Sequence, residues 1–98
     1  MNKREFYNNL VTNLSLADRD LHVHANTDGY GNPYKVTAFK PFDFKKGTFS
    51  NNVISVKCYR NIVTIYENNE LLEETDWNKH YKPNMVAITA ERVLELIK

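Results

Sequence analysis

The chain has 98 residues, a net charge of +1 and 42% apolar residues. A chain of this size forms one domain and buries about 60–70% of the surface that its unfolded form exposes, so little interior remains for an enclosed substrate chamber. The composition is typical of a folded protein and excludes a disordered, collagen-like or large multi-domain chain. We therefore expect a single domain over residues 1–98 that is not an enzyme, works through its outer surface and needs no cofactor or small-molecule substrate.

The charges are distributed unevenly along the chain. Residues 1–29 carry a net charge of −1, residues 30–62 carry +5 and residues 63–98 carry −3. The single cysteine, Cys58, has no partner for an internal disulfide, and no apolar stretch has the length of a signal region or a membrane span. We expect a cytoplasmic protein without a membrane partner. The many asparagines, lysines and tyrosines are typical of low-GC bacteria and their phages.

The first two predicted elements are a helix and a hairpin. Asn2 and Glu5 have capping-box spacing and precede a helical apolar stripe, which predicts a helix over residues 3–16. Residues 21–25 and 34–40 alternate with period two around a turn-rich segment that contains Gly29 and Gly31, which predicts a hairpin with a long loop. After Pro41, residues 42–52 form an irregular connection.

A three-stranded meander is predicted over residues 53–59, 62–67 and 70–75. Asparagine tolerates positive φ, so Arg60-Asn61 and Asn68-Asn69 each suit a two-residue hairpin loop. This register pairs Tyr59 with Ile62 and Cys58 with Val63, and it pairs Ile65 with Leu72. One face is then the core, formed by Ile54, Val56, Cys58, Val63, Ile65 and Leu72. The second face carries Ser55, Lys57, Tyr59, Ile62, Thr64, Tyr66, Leu71 and Glu73.

The chain ends in a loop and a second helix. Residues 77–83 are predicted as a polar, aromatic loop, and residues 85–88 suit either a short strand or the start of a helix. Thr89 is a good N-cap for a helix over residues 90–98. The predicted fold class is α+β, with an antiparallel sheet of about five strands and both helices packed on one face.

Two groups of residues suggest chemistry at first sight. His22 and His24 lie on one face of a strand, and His80 or Asp28 would be further metal ligands, but nothing in the sequence fixes a third ligand. Two solvent-facing histidines explain the pattern equally well, so we predict no metal site. Cys58 lies on the apolar face, where a thiol is a poor nucleophile, so we predict no catalytic residue.

The second sheet face is the predicted binding surface. It is more apolar than a solvent-facing surface requires, and tyrosine and arginine are frequent interface anchors. The leading hypothesis is a protein-binding module whose contact residues are Tyr59, Arg60, Ile62, Tyr66 and Leu71. A specific form of it is a phage or mobile-element accessory or counter-defence protein that acts as an inhibitor by contact with a host nucleic-acid enzyme. A homodimer through the same face satisfies the same pattern.

The alternative is a protein that binds single-stranded DNA or RNA through the aromatic and basic segment 35–60. Flat rings stack on bases while cations neutralise phosphates, and the residues assigned to this role are Lys40, Phe42, Phe44, Lys45 and Lys46. The carboxylates of residues 67–76 have two interpretations, a mimic of phosphates or a charged sheet edge that prevents aggregation, and the second is the simpler.

Overall fold

The chain order of the elements is helix, five strands and helix, as predicted. In the computed structural model, which describes residues 2–42, 47, 52–79 and 84–97, the strands form one antiparallel sheet in the order β1-β2-β3-β4-β5. The elements are α1 (Lys3–Ala17), β1 (His22–Thr27), β2 (Pro33–Phe39), β3 (Val53–Tyr59), β4 (Ile62–Glu67), β5 (Glu70–Asp76), a 3₁₀ turn (Trp77–Lys79) and α2 (Met85–Ile97). This arrangement confirms the α+β fold class.

Helix α1 begins at the predicted cap. The Asn2 Oδ1 atom accepts a hydrogen bond from the Glu5 amide at 2.9 Å, and the Asn2 Nδ2 atom donates to Glu5 Oε1 at 3.1 Å. The first of these bonds satisfies a backbone donor that has no partner within the helix. The helix ends where the Asp18 amide donates to the Leu14 carbonyl, one residue later than predicted.

The meander register is confirmed between β3 and β4. Tyr59 pairs with Ile62, Cys58 with Val63, Val56 with Ile65 and Ile54 with Glu67. Both two-residue turns have positive φ at both central positions, at Arg60 and Asn61 and again at Asn68 and Asn69. This backbone matches the twist of the flanking strands, so the two turns hold the three strands in register.

The register between β4 and β5 differs from the prediction. Tyr66 pairs with Leu71 but Ile65 pairs with Glu73, so Leu72 is an extra residue in a bulge. A bulge shifts every later side chain to the opposite face. Leu72 is therefore 46% exposed rather than part of the core, and Glu73 lies on the helix side of the sheet, where its Oε1 atom accepts a 2.6 Å bond from Arg92 Nε.

The hydrophobic core lies on one side of the sheet. The buried apolar residues alternate along β2, β3 and β4, and the buried apolar residues of α1 and α2 join them in a single cluster. Ser55 is also buried, on the opposite side of the sheet. Both helices therefore cover the same face. Trp77, predicted to lie in a polar loop, is also part of this core, because the 3₁₀ turn after β5 directs the chain back towards it. The core consists of Phe6, Tyr7, Leu10, Leu14, Leu21, Val36, Ala38, Ile54, Val56, Cys58, Val63, Ile65, Trp77, Met85, Val86, Ala90, Val93 and Ile97.

Helix α2 begins earlier than predicted. Residues 85–88 are helical, so of the two alternatives the helical one is correct, and Thr89 is buried inside the helix instead of capping it. The reason is the spacing of the apolar residues. Val86, Ala90, Val93 and Ile97 recur at three- and four-residue intervals and form one buried stripe, with Met85 beside Val86.

The predicted hairpin of β1 and β2 is present, and its loop, residues 28–32, is shorter than expected because both strands extend further into the turn-rich segment. The Asp28 carboxylate accepts hydrogen bonds from the amides of Tyr30 and Asn32 at 2.8 and 3.0 Å. Together these bonds hold the pKa of Asp28 below its ordinary value. Gly31 has φ of 79° at the end of this turn, a conformation that glycine adopts without strain.

Candidate functional site

One side of the sheet is covered by neither helix, and we call it the open face. Strand register defines it, because side chains alternate between the two faces and the core occupies the other one. Tyr59 and Leu71 are 63% and 58% exposed on it, whereas Ile62 and Tyr66 are half-buried. The open face consists of His22, His24, Asn26, Lys35, Thr37, Phe39, Val53, Ser55, Lys57, Tyr59, Ile62, Thr64, Tyr66, Leu71, Glu74 and Asp76.

The predicted contact residues are brought together on this face. Tyr59 lies beside Ile62 across β3 and β4, and Tyr66 lies beside Leu71 across β4 and β5. Arg60 follows Tyr59 in the turn, with its guanidinium 5.3 Å from the centre of the Tyr59 ring. Four of the five residues therefore lie on the same face as two pairs at opposite ends of β4, and Arg60 lies in the turn beside the first pair.

Cations stack on the tyrosine rings of this surface. Lys57 Nζ lies 5.2 Å from the Tyr66 ring centre, and Lys3 Nζ lies 5.8 Å from the Tyr59 ring centre. Each such contact stabilises an exposed site by about 0.5–1 kcal/mol. The cations therefore hold the two rings in place and put positive charge beside them. The sequence did not point to Lys3, because the helical pattern assigns α1 only to the core side.

Charge changes sign across the open face. Lys35 and Lys57 lie on β2 and β3, whereas Glu74 and Asp76 lie on β5, which is an edge strand of the sheet. Lys57 pairs with Thr64 on β4, and Thr64 pairs with Glu74, so these three residues form one row across the sheet. The uncharged residues of β4 separate the basic side from the acidic side.

The residues predicted for nucleic-acid binding are not gathered on this face. Lys40 Nζ forms an ion pair with Asp18 Oδ2 at 2.7 Å, at the end of α1. Phe42 is half-buried after the end of β2. Phe44, Lys45 and Lys46 lie outside the described residues.

The structure offers little for a metal or for catalysis in its described part. His22 and His24 are exposed, the His22 ring lies 5.2 Å from the Phe39 ring, and His80 lies outside the described residues. Within residues 2–42, 47, 52–79 and 84–97, no three His, Cys, Asp or Glu side chains form a group able to hold a metal ion.

Cys58 is 6% exposed, and burial raises the pKa of its thiol. It borders a cleft of about 150 Å³, which is smaller than the roughly 300–1,000 Å³ of typical small-molecule sites. The described residues that line this cleft include no carboxylate or imidazole that would act as a base: Asn2, Lys3, Phe6, Cys58, Arg60, Asn61 and Met85.

Comparison of the chain with protein families, with curated proteins and with solved structures found no match. In the described part of the chain, neither helix is long and apolar enough to cross a membrane.

Proposed function

We propose that the protein is a non-enzymatic module that binds another protein molecule through the open face of its sheet. The observation that carries the proposal is the exposure of Tyr59 and Leu71 on a sheet face that neither helix covers. Large amphipathic rings and aliphatic side chains at the centre, with charged groups around them, are the usual composition of a protein interface.

The distribution of charge favours a protein over a nucleic acid as the partner. A polyanion needs a continuous positive surface, but Glu74 and Asp76 give one side of the open face a negative charge. A protein surface provides groups of both signs, so it complements both sides of this face.

A narrower form of the proposal names a host nucleic-acid enzyme as the partner. Support for it comes from the phage-like composition and from the carboxylates along β5, which would take the place of phosphates in a basic groove. This form predicts that the captured partner is such an enzyme and that Glu74→Lys, on the open face of β5, weakens the contact.

Single-stranded nucleic acid is the second candidate ligand, favoured by the cations that stack on Tyr59 and Tyr66. It predicts that oligonucleotide affinity falls steeply with salt and that Lys57→Ala lowers the salt slope by about one. Fluorescence anisotropy with labelled single strands at low ionic strength tests it, and no binding under those conditions excludes it.

The proposed function is tested by capture with two matched double variants. Tyr59→Ala/Leu71→Ala removes two exposed side chains of the open face, and Tyr30→Ala/Leu16→Ala removes the same two residue types elsewhere, at sites 93% and 81% exposed. Each tagged protein is incubated with nuclease-treated lysate of the native host and with a differently tagged copy of the wild-type chain.

We expect the open-face variant to lose at least about tenfold of the retained partner and the control to keep it, because buried anchors dominate interface energies. Thermal unfolding should place both variants within about 1 kcal/mol of the wild type, as expected for surface truncations. Equal retention by both variants would show that the partner binds elsewhere.

A further inference from the structure

We infer that the partner on the open face is a second copy of this chain, related to the first by a two-fold axis parallel to β4. This inference rests on the proposed function and names its partner. It follows from the order of charged and uncharged residues across β3, β4 and β5.

Strand β4 carries no charge on the open face. Its three side chains there are Ile62, Thr64 and Tyr66, and all three are half-buried. At a two-fold axis each residue meets its own counterpart, so an uncharged strand suits the axis, where a charged residue would face the same charge. Ile62 and Tyr66 would form the apolar centre of the contact, with Thr64 between them.

The same rotation places β3 of one copy opposite β5 of the other, and the charges of these two strands are opposite. Lys57 and Glu74 are the neighbours of Thr64 on either side, in one row across the sheet. A two-fold axis along β4 exchanges the two sides, so Lys57 faces Glu74 of the second copy and Glu74 faces Lys57 of the second copy. Every contact occurs twice, and both signs are matched.

Both charges are available for such a contact. Lys57 is exposed and stacks on Tyr66, and Glu74 is exposed; within the described part of the chain neither has an ion-pair partner. Glu73, the preceding residue, differs in this respect, because it is paired with Arg92 on the helix side. The bulge at Leu72 therefore decides which carboxylate of β5 reaches the open face.

The size of the face sets the expected strength. An axis along β4 superposes only β3, β4 and β5 of the two copies, an area of roughly 14 Å by 20 Å at about 4.8 Å between strands and about 3.3 Å per residue. Counted over both copies this is roughly 600 Å², less than the roughly 1,200–2,000 Å² of stable interfaces, so we expect a weak dimer that dissociates between high micromolar and millimolar concentration.

Sedimentation equilibrium of the full chain, from micromolar to millimolar concentration, tests the inference with charge reversals. Lys57→Glu puts two carboxylates opposite each other at both contacts, and Glu74→Lys puts two ammonium groups opposite each other at both, so each variant alone should dissociate at least about tenfold more readily. In an equimolar mixture of the two variants, heterodimers have opposite charges at both contacts.

Each of the two contacts of the mixed dimer joins opposite charges. In a heterodimer the reversed position 57 of one copy faces the reversed position 74 of the other, which restores one attractive contact, and the second contact retains the wild-type Lys57 and Glu74. Dimers should therefore return in the mixture. Arg19→Glu and Glu91→Lys make the same charge changes at exposed sites outside the open face and should dimerise like the wild type.

Three outcomes would overturn the inference: a wild-type chain that stays monomeric at millimolar concentration, a dimer that both reversals leave intact, or a mixture that stays monomeric. Return of dimers in the mixture also excludes misfolding as the cause of the loss. These outcomes leave the proposed function intact if the monomeric protein captures a different partner through Tyr59 and Leu71.

Discussion

The hydroxyl of Tyr7 completes the sheet at the point where two strands separate. The β2–β3 ladder ends at Val36 and Val56. Beyond it, Tyr7 Oη accepts a hydrogen bond from the Cys58 amide at 2.9 Å and donates to the Tyr34 carbonyl at 3.0 Å. The Tyr7 side chain thus satisfies the Cys58 amide and the Tyr34 carbonyl, two backbone groups that would bond to each other if the β2–β3 ladder continued. The helical stripe predicts that Tyr7 is buried, but it gives no sign of this bridge.

Tyr7→Phe is expected to lower the free energy of unfolding by about 1–3 kcal/mol, because it leaves the Cys58 amide without its partner while keeping the ring. Urea unfolding measures the change. Tyr30→Phe, at a fully exposed ring, is the control and should stay within about 0.5 kcal/mol of the wild type. A Tyr7→Phe protein as stable as this control would contradict the bridging role.

Alkaline pH should destabilise the folded protein. Burial raises the pKa of Tyr7 above its ordinary value of 10.0, and it raises the pKa of Cys58 above 9.0. The folded state holds these protons more tightly than the unfolded chain does. Their stabilising contribution is therefore complete below about pH 9 and is lost as the pH rises through the folded-state values. Unfolding free energies measured from neutral to strongly alkaline pH should fall, and fall less steeply in Tyr7→Phe; a flat profile would contradict this.

At the scale of elements, the sequence predicts the register of β3 with β4 but not that of β4 with β5, which contains the bulge at Leu72. The pairing of β3 with β4 follows from a two-residue turn and strict alternation, and the structure confirms it. The same argument is wrong for β5, because alternation in Glu70–Asp76 is weak and an extra residue costs little at a sheet edge.

The observed register predicts that truncating Ile65 and truncating Leu72 lower the stability by different amounts, although the two side chains have the same size. Ile65→Ala should lower stability by about 2–5 kcal/mol, since Ile65 is buried in the core. Leu72→Ala should lower it by less than about 1 kcal/mol, as expected for an exposed position. Thermal or urea unfolding of both variants measures the difference. Equal losses would place Leu72 in the core and restore the unbulged register.

Substitutions in the turn at Asn68 and Asn69 should change the stability of the protein, because residues differ in the free energy that a positive φ requires. Asn69 has φ of 72°, so Asn69→Gly should raise stability by about 0.5 kcal/mol and Asn69→Val should lower it by about 1 kcal/mol or more. Inside α1 the same asparagine-to-glycine change, Asn13→Gly, should lower stability, because glycine is a poor helix former. Urea unfolding of the three variants measures these changes. Losses at both glycine sites would contradict the turn conformation.

At the scale of the whole molecule, the differently charged segments of the sequence lie on different strands of the sheet. The strand order follows the chain order, so the positively charged middle segment supplies β2 and β3 while the negative last segment supplies the edge strand β5. The sequence therefore predicts that the two signs lie at different places on the sheet. It does not predict that Lys57 and Glu74 share a row, because that depends on the bulge.

The sequence predicts some residues of the candidate site but not all of their contacts. Tyr59, Ile62, Tyr66 and Leu71 follow from alternation and from the packing of both helices on one side. The stacking of Lys3 on Tyr59 is not predictable, because it depends on how the start of α1 sits against the end of β3. Contacts between elements distant in sequence require the three-dimensional packing, which periodicity alone does not provide.

A residue-by-residue NMR titration of the full chain tests whether the open face is the binding surface. Amide and methyl signals are followed as the protein is concentrated, and again as any captured partner is added. We expect changes at Lys57, Ile62 and Leu71 and none at Leu16 and Ile88, exposed apolar residues on the two helices. Changes confined to the helices, with the signals of the open face constant, would contradict it.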